Sequence, residues 1–186
     1  GNNTWVLGRG RSLRESFLPP PPSEVAVLLG AGGSARAAVL ALGARARHLV
    51  IAARRPERAR TLARELRHAS GAELSAIDLA ELAPGRARGR AVLERAGVVV
   101  NATSLGMHGE PFVPIDVEAT PTRCLFYDLV YTSPRTPFLA PAARRRRPVS
   151  NGLGMLLHQG AAAFTAWTGR PAPVEVMRRA LVRAGR

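Results

Sequence analysis

The sequence predicts an α/β chain: a doubly wound parallel sheet with helices at its C-terminal end. Three observations predict it. Short apolar runs alternate with helical stretches from residue 23 to about residue 150. A glycine-rich turn separates the first run from the first helix. Residues 151–186 then read as two helices with no strand between them.

The elements follow in order. Residues 1–22 are a polar lead that ends in Pro19-Pro20-Pro21-Pro22, a stiff extended spacer. Glu24 to Leu29 is the first strand, and Ser34 to about Ala44 the first, Ala-rich helix. His48 to Ala53 is the second strand. The helix after it opens with Pro56, well placed in a first turn. Its Ala59, Leu62, Ala63 and Leu66 fall at i, i+3, i+4 and i+7, so one face is buried and the arginines lie mostly outside it. Ala72 to Ile77, Gly97 to Asn101 and Cys124 to Val130 read as the third, fourth and fifth strands. Pro84 to Ala96 is open to two readings, an arginine-rich loop entering a helix or one longer helix. Strands and helices repeated with right-handed crossovers give a doubly wound sheet.

Composition excludes some classes. Of 186 residues 46% are hydrophobic, enough for a core. No apolar run approaches the ~18 residues of a membrane span, and no signal peptide is visible. A single cysteine, Cys124, suits a reducing compartment, so the expectation is a soluble, cytoplasmic chain. The net charge of +14 invites a nucleic-acid reading. Aromatics are only 5%, however, with no stacking pattern and no zinc-finger spacing. The sequence has no lysine, so all its basic residues are arginine, a uniformity closer to a coding bias than to a designed binding face. No specific nucleic acid and no membrane are expected as partners, and no residue set has metal-ligand spacing.

The turn after the first strand, Gly30-Ala31-Gly32-Gly33-Ser34-Ala35, has the G-x-G-x-x-A form of a dinucleotide-binding loop. Gly30 permits the tight turn, Gly32 lets a pyrophosphate approach the backbone, and Ala35 lets helix and strand pack closely. The helix start offers free N–H groups to the phosphates. Strand before and helix after make the sheet Rossmann-like. At the end of the second strand an NAD site places an acid for the ribose 2′-hydroxyl. This chain reads Ala53-Arg54-Arg55-Pro56-Glu57-Arg58. Arg54, Arg55 and Arg58 match a 2′-phosphate, so NADP is the expected cofactor. Glu57 complements the helix dipole.

With these motifs on the page, the chain from about residue 24 onward resembles the shikimate dehydrogenase family. Gly30 to Ala37 looks like its phosphate loop, and Arg54 and Arg58 fall where its Asn-Arg-Thr-x-x-Arg motif has arginines. Ala53 and Arg55 replace the Asn and Thr of that motif. Asn101-Ala102-Thr103-Ser104-Leu105-Gly106-Met107 is similar to the segment that passes the nicotinamide-side ribose, which assigns Thr103, Ser104 and Leu105 to cofactor binding. Tyr127-Asp128-Leu129-Val130-Tyr131, followed by Thr136-Pro137-Phe138-Leu139, resembles a strand with a cofactor contact at Leu129 and a substrate tyrosine at Tyr131. Asn151 to Gln159 resembles the last signature, in which Gly152 meets nicotinamide and Gln159 a substrate hydroxyl. Gly152 and Gln159 are two helical turns apart, on one face and about 10 Å from each other.

The resemblance implies an NADP-dependent oxidoreductase that interconverts 3-dehydroshikimate and shikimate, a step of chorismate and aromatic amino-acid biosynthesis. It also implies a lysine and an aspartate from an N-terminal substrate domain. The sequence has no lysine, and Trp5 follows Gly1-Asn2-Asn3-Thr4 where the aspartate is expected. Residues 1–22 thus read as the remnant of that domain and a linker, 23–150 as the NADP-binding domain and 151–186 as C-terminal helices. No catalytic residue is assigned, and the substrate is expected to bind only when an N-terminal domain is supplied. Asp128 is expected to satisfy backbone or loop donors, Cys124 to be a buried small hydrophobe, and Arg144 to Arg147 to form a solvated helix end. His48, His68 and His108 are expected at the surface or in loops. The alternatives are a non-catalytic NADP-binding module for sensing or partner binding and, last, an arginine-rich nucleic-acid binder.

Overall fold

A computed structural model of the chain describes residues 23–108, 110–131, 133 and 135–184. The polyproline spacer and the Gly1 to Trp5 segment lie outside the described residues. The chain runs β1 (Ser23–Leu29), α1 (Gly33–Gly43), β2 (Ala46–Ala53), α2 (Pro56–Leu66) and β3 (Glu73–Asp78). A 3-10 turn (Leu79–Leu82) leads into α3 (Ala87–Leu93) and β4 (Ala96–Asn101), and a second (Val117–Ala119) precedes β5 (Leu125–Asp128). Then come α4 (Leu139–Arg144), β6 (Val149–Ser150), α5 (Leu153–Thr168) and α6 (Val174–Ala184).

The sheet order is β3-β2-β1-β4-β5-β6, and every pairing is parallel. The order reverses direction beside β1, and the crevice outside the strand C-termini at that point is where this architecture takes ligands. Both faces of the sheet are buried, so β1 is apolar from Val25 to Leu29 rather than alternating. Ala26 and Leu28 pack with Val39 and Leu42 of α1 and Leu62 and Leu66 of α2. Val25, Val27 and Leu29 face the other layer, with Leu79, Leu82, Leu93, Phe126 and Leu139.

The strands and helices expected from sequence are present, with ends that coincide or shift by one or two residues. The segment from Pro84 resolves as a turn entering the short helix α3. The sixth strand was not expected. It is two residues long, held by Phe126↔Val149 and Tyr127↔Ser150, too short to carry a periodic signal.

One expectation is corrected. Arg144 and Arg146 are exposed, but Arg147 is half-buried and not a solvated end. Its guanidinium donates to the Thr120 carbonyl (2.7 Å), the Thr120 hydroxyl (3.1 Å) and the Val117 carbonyl (3.4 Å). The Val117 carbonyl of the second 3-10 turn already accepts the Thr120 N–H and hydroxyl, and Arg147 adds a donor there and supplies one to the Thr120 carbonyl that follows the turn. Arg146, at φ 56°, takes the left-handed position after α4, so that Arg147 N–H reaches back to the Ala142 carbonyl (3.0 Å). Arg145 pairs with Glu118.

Candidate cofactor pocket

The pocket begins where β1 ends. Gly30 has φ 107°, a conformation an L side chain rarely adopts, and its N–H bonds the Ala52 carbonyl at 2.8 Å. A Cβ there would lie 3.0 Å from Thr103 Cγ2 and 3.2 Å from the Ala102 carbonyl carbon. Gly30 is therefore required by the turn and by the neighbouring strand's exit. Gly32 and Gly33 differ, because a Cβ on either meets nothing within 4 Å. Gly32 caps α1 with extended backbone and no side-chain hydrogen bond, and the first turn of α1 has no acidic residue. Packing does not demand these two glycines. Their effect is an open approach to the amide groups that start an 11-residue helix.

Beyond β2, the exposed side chains of Arg54, Arg55 and Arg58 line the same cavity, of about 530 Å³, as Gly30, Ala31 and Gly32. Thr103, Ser104 and Leu105 form its opposite wall. Among the described residues none of these three guanidiniums has an ion-pair partner, whereas Arg36 pairs with Glu65, Arg95 with Glu24 and Arg90 with Glu94. Glu57 lies in an adjoining groove with Gly33, Arg36 and Arg58, and not in the cavity itself. Three cations without counter-ions thus share a cavity with open helix-start amides. That arrangement is suited to a ligand carrying separated phosphate groups.

The opposite wall is tied down from behind. Asn101 ends β4 opposite Asp128, which ends β5. The Asn101 side-chain carbonyl accepts the Thr103 N–H at 3.0 Å and the Thr103 hydroxyl at 2.6 Å. Its amide donates to Asp128 Oδ1 at 2.9 Å. Asp128 also accepts the Val130 N–H (3.0 Å) and the Thr136 hydroxyl, so it meets backbone and loop donors as expected. Burial pushes its carboxyl up to about 6, against the lowering effect of those three hydrogen bonds. Further along, Glu110 brackets the next turn by accepting the N–H groups of Gly106 and His108, both at 2.9 Å.

The remaining assigned residues lie elsewhere. Ala35 is fully buried between α1 and the sheet, a packing role, and Ser34 sits in the first turn of α1. Leu129 is buried, and Gly152 starts α5 directly against its backbone. Tyr131 is 44% exposed. Gln159 lies along α5, and its side chain is outside the described residues. None of Leu129, Tyr131 and Gly152 lines the cavity of the glycine loop. Ala53, Leu79 and Ala102 do line it and were not assigned from sequence. Leu79 follows β3, and the sheet order sets that strand end beside the end of β2. The strand order predicted by a doubly wound sheet was the signal for it.

Among the described residues the cysteine and the histidines stand apart from the cavity. Cys124 is fully buried, and burial pushes its thiol up to about 12. His48 is half-exposed on β2 and pairs with Glu73 at 3.1 Å, and His68 and His108 are exposed. Among the described residues there is no His, Cys, Asp and Glu cluster able to hold a metal, and no helix is long and apolar enough to cross a membrane.

Comparison with known proteins agrees with this architecture. The family model for the shikimate 5′-dehydrogenase C-terminal domain matches residues 152–182. A shikimate dehydrogenase (NADP⁺) of Moorella thermoacetica is 48% identical over 189 residues, covering 97% of this chain and 60% of that protein. The chain is thus similar to shikimate dehydrogenases in sequence and in fold. It spans about 60% of the length of such relatives. The crystal structure of shikimate 5-dehydrogenase from Thermus thermophilus in complex with NADP(H) and shikimate superposes with a TM-score of 0.77 at 33% identity, over 98% of this chain and 62% of that one. Quinate dehydrogenase from Corynebacterium glutamicum in complex with NAD gives 0.83 at 32% identity, over 98% and 63%.

Proposed function

We propose that this chain is the NADP-binding part of a shikimate dehydrogenase-like oxidoreductase, which interconverts 3-dehydroshikimate and shikimate in the aromatic branch of cytoplasmic biosynthesis. The observation that carries the cofactor is the trio Arg54, Arg55 and Arg58, without ion-pair partners among the described residues, at the strand end where an NAD site has an acid. The Thermus thermophilus structure, solved with NADP(H) and shikimate, supports both cofactor and substrate class.

In this reading residues 23–150 form the cofactor-binding domain and 151–186 the helices that follow it. Gly30, Ala31, Gly32 and Gly33 admit the pyrophosphate, with Ser34 and Ala35 in the helix turn that receives it. Arg54, Arg55 and Arg58 grip the 2′-phosphate. Thr103, Ser104 and Leu105 meet the nicotinamide-side ribose, and Leu129 and Gly152 stand at the nicotinamide. The bound cofactor supplies the hydride. Tyr131 and Gln159 hold substrate hydroxyl groups. The proton partner comes from outside these residues, because the sequence has no lysine and Trp5 follows Thr4. That same lack favours a second reading, a non-catalytic NADP-binding module.

Fluorescence titration with NADPH and NADH at fixed ionic strength tests the cofactor. One charge-assisted arginine–phosphate contact corresponds to a preference for NADPH of about tenfold or more, lost in Arg54→Ala. Equal affinities, or an unchanged Arg54→Ala, overturn the assignment.

A further inference from the structure

Behind the pocket lies a polar ring whose buried members, Asn101, Asp128 and Thr136, do not line it. Asn101, Asp128 and Thr136 are each 0% exposed, a costly place for polar groups unless every hydrogen bond is made. From Asp128 one branch runs through the Asn101 amide to Thr103, whose hydroxyl accepts the Leu105 N–H at 3.1 Å. Asn101 Nδ2 also approaches the Leu105 carbonyl at 3.5 Å. The other branch runs from the carboxylate to the Val130 N–H, next to Tyr131, and to the Thr136 hydroxyl. Thr136 in turn receives the Leu139 N–H that opens α4. The branches meet again where Gly106 packs on Pro137, with 3.3 Å between a notional Gly106 Cβ and Pro137 Cδ.

The carboxylate has the acceptor capacity that this junction needs. Its three donors come from Asn101 at the end of β4 and from Val130 and Thr136 in the segment after β5, and apolar packing would leave all three unpaired. No charged side chain acts on Asp128, and what surrounds it is buried surface with the hydrogen bonds just described.

We propose that Asp128 is a positioning residue, joining the Thr103–Leu105 wall of the cofactor pocket and the Val130–Thr136 segment that carries Tyr131 into one unit. Cofactor side and substrate side are thereby set by the same carboxylate. The inference rests on the cofactor reading of the pocket, and its test separates the two. Amide hydrogen exchange is followed at Thr103, Leu105 and Val130 against the core amides of β1 and β2. Asp128→Ala is expected to speed exchange at the three loop amides by about tenfold or more relative to the core. Asp128→Asn keeps one oxygen for Asn101 and Val130 and presents an amide to the Thr136 hydroxyl, so it is expected to restore most of the protection. If Asp128→Ala does not fold, Thr136→Val removes a single donor and is expected to raise exchange at Val130 and Thr103 by about threefold or more. Exchange that is unchanged, or that rises only in step with the core, overturns the proposal.

NADPH titration of the same proteins forms the second arm. Weaker binding by Asp128→Ala or Thr136→Val, recovered in Asp128→Asn, supports positioning. Unchanged NADPH affinity alongside faster loop exchange overturns it. Failure of the unsubstituted chain to bind NADPH sinks the cofactor reading, and the exchange arm alone then decides whether Asp128 joins the two segments.

Discussion

A β-carbon placed on Gly152 would lie 2.4 Å from the carbonyl oxygen of Leu129. The two residues sit at the start of α5 and just beyond β5, and the Gly152 N–H bonds the Val130 carbonyl at 3.3 Å. Gly152 has φ −73°, which any residue adopts, so space and not backbone freedom demands glycine. The resemblance assigns Gly152 to nicotinamide contact, yet its missing side chain is accounted for by Leu129. Gly152→Ala is expected to lower the unfolding free energy by about 1–3 kcal/mol, as overpacked substitutions do. Urea denaturation checks this. A gain of about 0.4–1 kcal/mol, the usual result where alanine fits, would show the space to be open.

Gly30 and Gly32 should respond in opposite ways. Gly30→Ala meets both the 107° backbone angle and the Thr103 methyl, and is expected to cost about 1–3 kcal/mol of stability. Gly32→Ala has φ −93° and no neighbour within 4 Å, so its stability should stay within about 0.5 kcal/mol of the parent. Its methyl group would nevertheless stand where the pyrophosphate must approach, and NADPH affinity is expected to fall by about tenfold or more. Paired denaturation and NADPH titration decide. A Gly32→Ala protein that binds normally would move the phosphates away from this loop.

Asp128 also gives stability a pH dependence of definite sign. Its carboxyl is raised to about 6 in the folded chain, from an ordinary ~3.9. Between those values the folded state holds a proton that the unfolded state has lost, so this group's contribution is largest below pH ~4 and is lost as pH rises to ~6. A shift of about two units corresponds to about 3 kcal/mol. Glu24 is held low by its hydrogen bond and charge pairing with Arg95, and Glu110 by its own N–H and those of its neighbours, with slopes of opposite sign below the glutamate range. Those slopes cancel in a comparison of Asp128→Asn with the parent. The variant's stability relative to the parent should rise by a few kcal/mol between pH 4 and 6.5 and be flat above. Urea midpoints at four pH values test it, and a constant difference would mean that water reaches the carboxylate.

The parts legible in the sequence are those with a local signature. The glycine turn, the apolar strands and the Ala59 to Leu66 stripe each carry a local spacing, and the structure places them at a strand-to-helix turn, in the sheet and on a buried helix face. Arg54, Arg55 and Arg58 were legible as pocket residues because they follow the end of the second strand, and they do line the cavity. What escaped was set by tertiary neighbours. Leu79 reaches the pocket only through the sheet order, β6 exists only because β5 offers it an edge, and Arg147 is pinned by the Thr120 carbonyl and hydroxyl of a segment distant in sequence. Gly152 shows the other side of this, since a signature read as ligand contact also answers to packing against Leu129.

The last prediction separates binding from turnover. The cavity, its open glycines and its three cations lie within residues 30–105, and the residues proposed for the nicotinamide, Leu129 and Gly152, are in the same chain, so NADPH binding is expected without an added domain. Reduction of a ketone also needs a proton delivered to the developing alkoxide, help worth about 10²–10⁴-fold. The sequence has no lysine, and Asp128 is enclosed by Asn101, Val130 and Thr136. Tyr131, 44% exposed, is proposed to form one wall for a substrate, and the opposing surface that desolvates and orients it is expected from an N-terminal substrate domain. Residues 1–186 are therefore expected to bind NADPH without measurable shikimate oxidation, followed as NADPH absorbance with shikimate and NADP⁺. Turnover is expected to return when an N-terminal substrate domain of a shikimate dehydrogenase is fused ahead of Gly1 with an aspartate after Thr4. Turnover by the 186 residues alone, at the level of an intact relative, would show that the proton partner lies within this chain.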